Sequence, residues 1–493
     1  VGTSSRTIAI IAALTSVCPL FAAAQSGEGT ATGTMTTAAT PATVASSSTT
    51  TAAAATGQTG GFQINMGVRT RLSYDDNFEL VPNSTGGTWI WDTTLNFDVR
   101  SVTQTDDLQI YGSGVLRYAD IPGRTVRGFE DPRIGLRYTR SAANSQLTFA
   151  ASFRRVDREF LDPFEVEQEQ QQSTGLVGDG GTQTTRFASL GYRGGINDPI
   201  GYAFTLSHNA RDYSGTTDLR LYDNTTDRAQ GSVFLRPDQL TQWSLNYGVT
   251  KYDAANANSL ERTTQDVSVG LQRQIDPTLL FDGTLGYTRI ESDEIIGGIP
   301  TRTTDSGATA SLALTKTLGN GTAGATLSRQ VTSNGSYTAL RFSRSLTLPL
   351  GGLSASLGAV HTESGRTSLI GSLAYTRQLQ SSDFSITLDR NVTSNSLDED
   401  VLDTRLTLNY GYTINNLSRL DVTLLYGRSE GAGLSTVPDI DRTTLTASYT
   451  RALTPDWNLV GGMQIRQRDE TGVGNAHSNS VFLTLGRNFS FRP

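Results

Sequence analysis

From Phe62 to the end of the chain, apolar and polar residues alternate singly in blocks of about 9 to 12, and the blocks are separated by Gly, Asn, Asp and Pro. In the cleanest block Leu406, Leu408, Tyr410, Tyr412 and Ile414 fall on one face, with Arg405, Thr407, Asn409, Gly411 and Thr413 on the other. Leu420, Val422, Leu424 and Tyr426 alternate with Asp421, Thr423 and Gly427, and Trp243, Leu245, Tyr247 and Val249 with Ser244, Asn246 and Gly248. A period of two marks extended strands with unlike faces. A soluble two-sheet sandwich also alternates, but its outward face is usually rich in charge. Here the polar face is mostly Ser, Thr, Gly and Asn, which suits a wet lumen behind a lipid-facing wall.

The spacing of the blocks predicts an all-β fold, a transmembrane antiparallel β-barrel of about 22 strands, with 18 to 22 as the range the weaker blocks near Asp131 and Gly321 allow. The connections support that count. Tight turns are expected at Gln104-Thr105, Ala142-Ala143, Asn197-Asp198, Pro237-Asp238, Asp276-Pro277, Gly319-Asn320, Gly351-Gly352, Ser381-Ser382, Asn416-Leu417 and Thr454-Pro455. Longer connections fall between them, the longest from Glu159 to Gly181, while those at Ser333-Asn334 and Gly365-Arg366 are short. Alternation of short turns with longer loops is the pattern of periplasmic turns and extracellular loops, and it puts both ends of the barrel on the periplasmic side.

The segment before the barrel reads differently. Arg6, the apolar run from Ile8 to Leu14 and the small residues Ala22-Ala23-Ala24 have the layout of a secretory signal peptide over residues 1–24, with cleavage expected after Ala24. Residues 25–61 are almost entirely Ala, Thr, Ser and Gly, a composition that buries too little apolar surface to order itself, and they are read as a periplasmic linker. No plug domain is expected ahead of the barrel, which spans 62–493 in this reading.

Composition narrows the function. The chain has 493 residues, 36% of them hydrophobic, with 50 Gly, one Cys, three His and three Met. Scarce Cys and His leave little for thiol or metal chemistry, and no cofactor or metal site is expected. The formal net charge of -7 gives no electrostatic reason to expect nucleic acid. His208, His361 and His477 lie in separate blocks without a nucleophile motif, so an enzyme is not expected.

Candidate functional residues follow from the alternation. Tyr287 and Arg289, Tyr375 and Arg377, Tyr426 and Arg428, and Tyr449 and Arg451 repeat an aromatic residue two positions before an arginine. Both members then face lipid, as an aromatic girdle with a snorkelling base beside it. Lipopolysaccharide and other outer-membrane lipids are the expected contacts. Asp282, Asp389, Arg405 and Asp421 are expected in the lumen. In the last block Val481, Leu483, Leu485, Phe489 and Phe491 share a face, and this aromatic-ended strand resembles the C-terminal signal read by the barrel-assembly machinery, although Arg492 and Pro493 follow it.

The block ending Leu72-Ser73-Tyr74-Asp75-Asp76-Asn77 carries a Tyr-Asp-x-Asn strand end. With the layout from Phe62 to Phe491, it resembles the opening of the β-barrel porin family associated with exopolysaccharide and capsule export loci. The resemblance implies a Gram-negative outer-membrane conduit for polysaccharide that works with periplasmic polysaccharide-export proteins. A general diffusion porin and a structural or adhesive surface barrel are the alternatives. A barrel of this strand number is also similar to the TonB-dependent transporters, but the segment before Phe62 is too poor in apolar residues to form their plug.

Overall fold

The computed structural model describes residues 61–161, 180–216, 221–333, 335–363, 365–394, 400–431 and 439–492. The segments expected to be a signal peptide (residues 1–24) and a linker (from residue 25), up to residue 60, lie outside the described residues. From Gly61 the chain forms strands β1 (Gly61–Asp75), β2 (Thr88–Val102), β3 (Asp106–Ile121), β4 (Arg124–Ala142), β5 (Ser145–Asp157), β6 (Thr182–Gly194), β7 (Ile200–Ser214), β8 (Asn224–Asp238), β9 (Thr241–Ala254), β10 (Leu260–Asp276) and β11 (Leu279–Ile296). The second half supplies β12 (Ile299–Leu318), β13 (Gly321–Thr332), β14 (Gly335–Leu348), β15 (Gly351–Thr362), β16 (Thr367–Gln378), β17 (Ser382–Ser394), β18 (Asp400–Asn415), β19 (Ser418–Gly431), β20 (Ile440–Ala452), β21 (Trp457–Glu470) and β22 (Gly474–Phe491). All belong to one 22-stranded sheet in which each strand pairs antiparallel with its sequence neighbours and β1 also pairs with β22. The sheet is therefore a closed barrel, and the strand number equals the expected 22.

The alternation sorts the two faces as expected. Trp91, Leu245, Leu285, Leu369 and Val481 point outward, and the most exposed of them, Leu285 and Leu369, each keep 62% of their surface accessible. Exposed apolar side chains on every second position cost free energy in water but not in hydrocarbon, at roughly 25 cal/mol per Å² of difference. With every strand bonded on both sides, this belt identifies an outer-membrane β-barrel. A small buried cluster of Val360, Ile370, Val392 and Leu402 packs under Tyr337 and Ala339 near the loop ends of β14 to β18.

Side-chain chemistry sets the short turns. Asp238, Asp276 and Asn415 each accept, through a side-chain oxygen, the backbone N–H two residues on, at 2.7, 2.7 and 2.9 Å. This is the Asx turn that favours Asp and Asn at such places. Two turns lie two residues from the expected spot: β8 runs through Asp238 and turns before Thr241, and the chain between β14 and β15 turns at Pro349-Leu350 rather than Gly351-Gly352. Between β14 and β15 pairing runs through Leu348 opposite Gly351, whereas between β8 and β9 it shifts register after Leu235 and resumes at Asp238 opposite Thr241.

The seam between the first and last strand is locked at its extracellular end. Asp75, only 6% exposed, accepts from Arg466 Nη2 at 2.7 Å, from Ser478 Oγ at 2.6 Å and from the Asn77 N–H at 2.9 Å. Asp76 takes the backbone N–H and side-chain amide of Asn479 at 2.7 and 2.9 Å. The Asn77 amide donates to the carbonyls of Val81 at 2.7 Å and His477 at 2.9 Å. The Tyr-Asp-x-Asn strand end is thus the clasp of barrel closure. At the other end Phe489 stands opposite Met66, and Phe491 opposite Ile64, all on the outer face.

Beyond the strands, Glu363 ties the two short extracellular loops together by accepting the Ser336 N–H at 2.7 Å. That bond holds the Glu363 carboxyl below the ordinary glutamate range. A carboxyl depressed in the folded state stabilises above its unfolded pKa and loses that contribution as pH falls through the folded value. The Ser336 amide resonance is expected to titrate below the free-glutamate midpoint, and Glu363→Gln is expected to abolish the transition; an unchanged titration would refute the tie. For the seam, removing one partner of a buried pair typically costs about 3–5 kcal/mol. Asp75→Ala and Arg466→Ala should each destabilise detergent-solubilised barrel by an amount of that order in urea unfolding. The double variant should fall short of the sum, since both delete the same interaction.

Candidate functional site: the lumen wall

Parity along each strand, carried across by the register, places every inward side chain. Directly opposed residues in antiparallel strands share a face. Asp282 faces inward one residue off the outward Phe281 and Gly283. Asp389 and Arg405 stand opposite each other on the lumen side of β17 and β18. Asp421 lies inward on β19 and accepts from Arg419 Nε at 2.6 Å, while the same guanidinium reaches Asp383 at 2.7 Å. All four expected lumen residues are inward, but only Asp389 and Arg405 stand together as a pair.

The tyrosine–arginine pairs fall on the outer face. Tyr287 donates to Ser306 at 2.8 Å, Tyr426 to Asp441 at 2.7 Å and Tyr449 to Ser418 at 3.0 Å, and Tyr375 packs against Phe384 with ring centroids 5.9 Å apart. Arg289 pairs with Glu291, and Arg428 with Glu430 at 2.8 Å and Asp441 at 3.8 Å. Arg377 and Arg451 sit at the turn ends of their strands and are exposed. Arg289 and Arg428 lie near the loop ends, where outward charge pairs such as His208 with Asp227 at 2.6 Å also occur. The apolar belt is therefore edged with ion pairs on its extracellular side.

The larger finding is the lumen itself, which carries arginines beyond the expected Arg405. Arg69 and Arg71 on β1, Arg133 and Arg137 on β4, Arg193 on β6 and Arg228 on β8 all face inward. Two of these seats share a construction. Tyr111 lies across Gly135, where an added Cβ would stand 2.3 Å from the ring, and the guanidinium carbons of Arg137 and Arg133 lie 5.3 and 5.8 Å from the Tyr111 centroid. Phe482 lies across Gly462 in the same way, with Arg71 4.1 Å over its ring. A ring flattened on a glycine gives a guanidinium a flat surface to stack on. Farther round, Arg193 and Arg236 flank Phe234, which is 3% exposed.

On the opposite side the lumen is hydroxyl-rich, with Arg341 of β14 among its inward residues. Thr322 and Ser345 are 2.7 Å apart, and Ser356 and Ser372 2.8 Å apart, across successive strand pairs. A recess of about 360 Å³ lies where the two walls meet, bordered by Arg193, Arg228, Gln230, Asp266, Thr284 and Ser328. At the outer mouth a 3-10 turn, Arg158–Phe160, brings Phe160 under Arg117, a lumen residue, at 3.8 Å, and against Phe78 at 5.2 Å. The first residues of the longest loop therefore bend over the lumen; the rest of that loop, residues 162–179, lies outside the described residues.

The arginine wall is legible in the alternation, since Arg69 and Arg71 alternate with the outward Val68 and Leu72, but strand β4 carries an irregularity. Between Ser113 and Val115 of β3, strand β4 spends one extra residue, and Asp131 adopts a positive φ of 47°. This bulge inverts parity, so that Phe129 faces lipid from an odd position while Ile134 and Leu136 do so from even ones. Within the block after the bulge, Arg133 and Arg137 still alternate with the outward Ile134, Leu136 and Tyr138. The bulge is pinned by Arg154, which donates to Asp131 at 2.8 and 3.2 Å.

No family model matches the chain, and no curated protein matches it. Among solved structures the chain is similar to the ferric-catecholate import receptor Fiu from E. coli K12. The open form gives a TM-score of 0.54 at 10% identity over 86% of this chain and 81% of that one, and the closed form 0.52 at 12% over 86% and 81%. A mutant of the ferric enterobactin receptor PfeA from Pseudomonas aeruginosa, in complex with enterobactin, gives 0.51 at 11% over 87% and 82%. At such identities the likeness establishes the 22-stranded barrel and not an activity. Both fold and outer face make this an outer-membrane protein.

Gly135→Val is expected to push Tyr111 off its seat and destabilise the barrel by about 1–3 kcal/mol, the usual range for overpacking. Combining it with Tyr111→Ala should recover part of that loss in chemical denaturation; an additive double variant would show that ring and glycine are not in contact.

Proposed function

We propose that the barrel is an outer-membrane conduit for a hydrophilic polymer, with exopolysaccharide export as its role and periplasmic polysaccharide-export proteins as its partners. The observation that carries this reading is the lumen wall, continuous around 22 strands and built from hydroxyl, amide, guanidinium and carboxylate groups. Such groups hydrogen-bond to a sugar chain as readily as to water, so a polymer can slide along them without large steps in free energy.

Width supports a macromolecular cargo over general diffusion. Barrel diameter grows with strand number, and 16–18 strands already leave an aqueous channel. A barrel of 22 strands is wider than small solutes require. A purely adhesive barrel has no use for stacked, preorganised arginines inside its wall.

Planar-bilayer recording tests the proposal. Purified barrel should conduct, and soluble exopolysaccharide should reduce the current in a length-dependent way, while deletion of the gene should strand polymer in the periplasm. Conductance indifferent to every polysaccharide, with tight binding of a small ferric catecholate instead, would overturn it.

A further inference from the structure

The six inward arginines Arg69, Arg71, Arg133, Arg137, Arg193 and Arg228 share a second property. None of them forms an ion pair with a carboxylate among the described residues. The acids of the same wall are engaged elsewhere. Asp92, directly opposite Arg71 in the register, gives both oxygens to Arg117 at 2.8 Å each. Asp107 is taken by Arg100 at 2.9 Å and Asp131 by Arg154 at 2.8 Å. Asp98 accepts from Gln109 at 2.5 Å and Asn65 at 3.5 Å. Asp266, across the lumen face from Arg228, accepts from Thr288 at 2.6 Å. Glu130 also faces this wall. The Nε of Arg193 is buried without a hydrogen-bond partner.

A guanidinium stacked on a ring keeps its in-plane N–H donors turned toward the lumen, where they match a carboxylate, phosphate or sulfate edge. Their heights differ. Arg193 sits at the turn end of β6, Arg137 farther along β4, and Arg71, Arg133 and Arg228 about ten residues from their periplasmic strand ends, or roughly 30 Å of strand. The protein as a whole is acidic, with a formal charge of -7, so these arginines stand out against its overall charge. Facing them, the wall of β13 to β16 supplies hydroxyl hydrogen-bonding partners and one further inward guanidinium, Arg341.

We infer that this arginine stripe is a ladder for an anionic polymer: the lumen takes a polysaccharide bearing carboxylate or other acidic substituents, its charged groups passing between successive arginines while its hydroxyls ride the hydroxyl-rich wall. The inference rests on the conduit reading and adds the charge class of the cargo. Spacing the sites along the axis, rather than gathering them in one pocket, favours movement over capture, since each contact is released as the next forms.

The test uses the purified full-length barrel in planar bilayers with two polymers of matched length, polygalacturonate and dextran. Reversal potentials across a salt gradient should show anion selectivity. Polygalacturonate should block from the periplasmic side at concentrations at least about tenfold lower than dextran, with an advantage that shrinks as salt rises. Arg71→Gln/Arg133→Gln/Arg137→Gln should lose selectivity and most of that advantage. The corresponding triple lysine variant, which keeps the charge, should retain selectivity and so guards against a trivial folding defect. Equal block by the two polymers, in a barrel that both enter, would overturn the anionic ladder while leaving the conduit reading intact. Block by neither polymer would overturn both, even if small anions pass selectively.

Discussion

Closure of the sheet is the constraint on which everything else in this molecule rests. In hydrocarbon an unpaired N–H or C=O has no water to turn to, and each costs several kcal/mol, so a β-sheet is stable there only without an edge. The pairing of β1 with β22 removes the two edges that a 22-stranded sheet would otherwise expose. The Asp75, Asp76 and Asn77 contacts with Arg466, Ser478 and Asn479 fix the register of that pairing at one end. A slip of a single residue there would turn the outer face of β22 inward, carrying Leu483 and Leu485 into water.

Closure also creates the functional surface. Once the outer face is committed to lipid, every alternate residue must enter the lumen, and its chemistry is free to vary because no packing partner restricts it. The wall uses that freedom unevenly. One side holds arginines seated on Tyr111 and Phe482, themselves flattened on Gly135 and Gly462; the other is lined with Ser and Thr. Glycine in these strands therefore makes room for a ring from the neighbouring strand, and the ring sets the direction of a charge.

The outer rim shows the opposite economy. Arg289 and Arg428 each meet carboxylates close by, as do other bases near the loop ends. Charges at the membrane border are neutralised locally, so that little net field is presented where the apolar belt ends, whereas several lumen guanidiniums form no ion pair with a carboxylate among the described residues. The same residue type thus does different work on the two faces of one wall.

The alternation of residues by itself determined the architecture: strand number, the inside and outside of most strands, the side on which the short turns lie, and the inward placement of Asp282, Asp389, Arg405 and Asp421. It could do so because a lipid-facing strand imposes a period of two that no other constraint overrides. What only the tertiary structure decided was which strands meet and which charges remain unpaired. The clasp joins residues about four hundred positions apart in the chain, and the bulge at Asp131 gives β4 one extra residue against β3. Whether an arginine is spent on a neighbouring acid or left for cargo depends on contacts across strands, such as that of Asp92 with Arg117, and no local pattern encodes them.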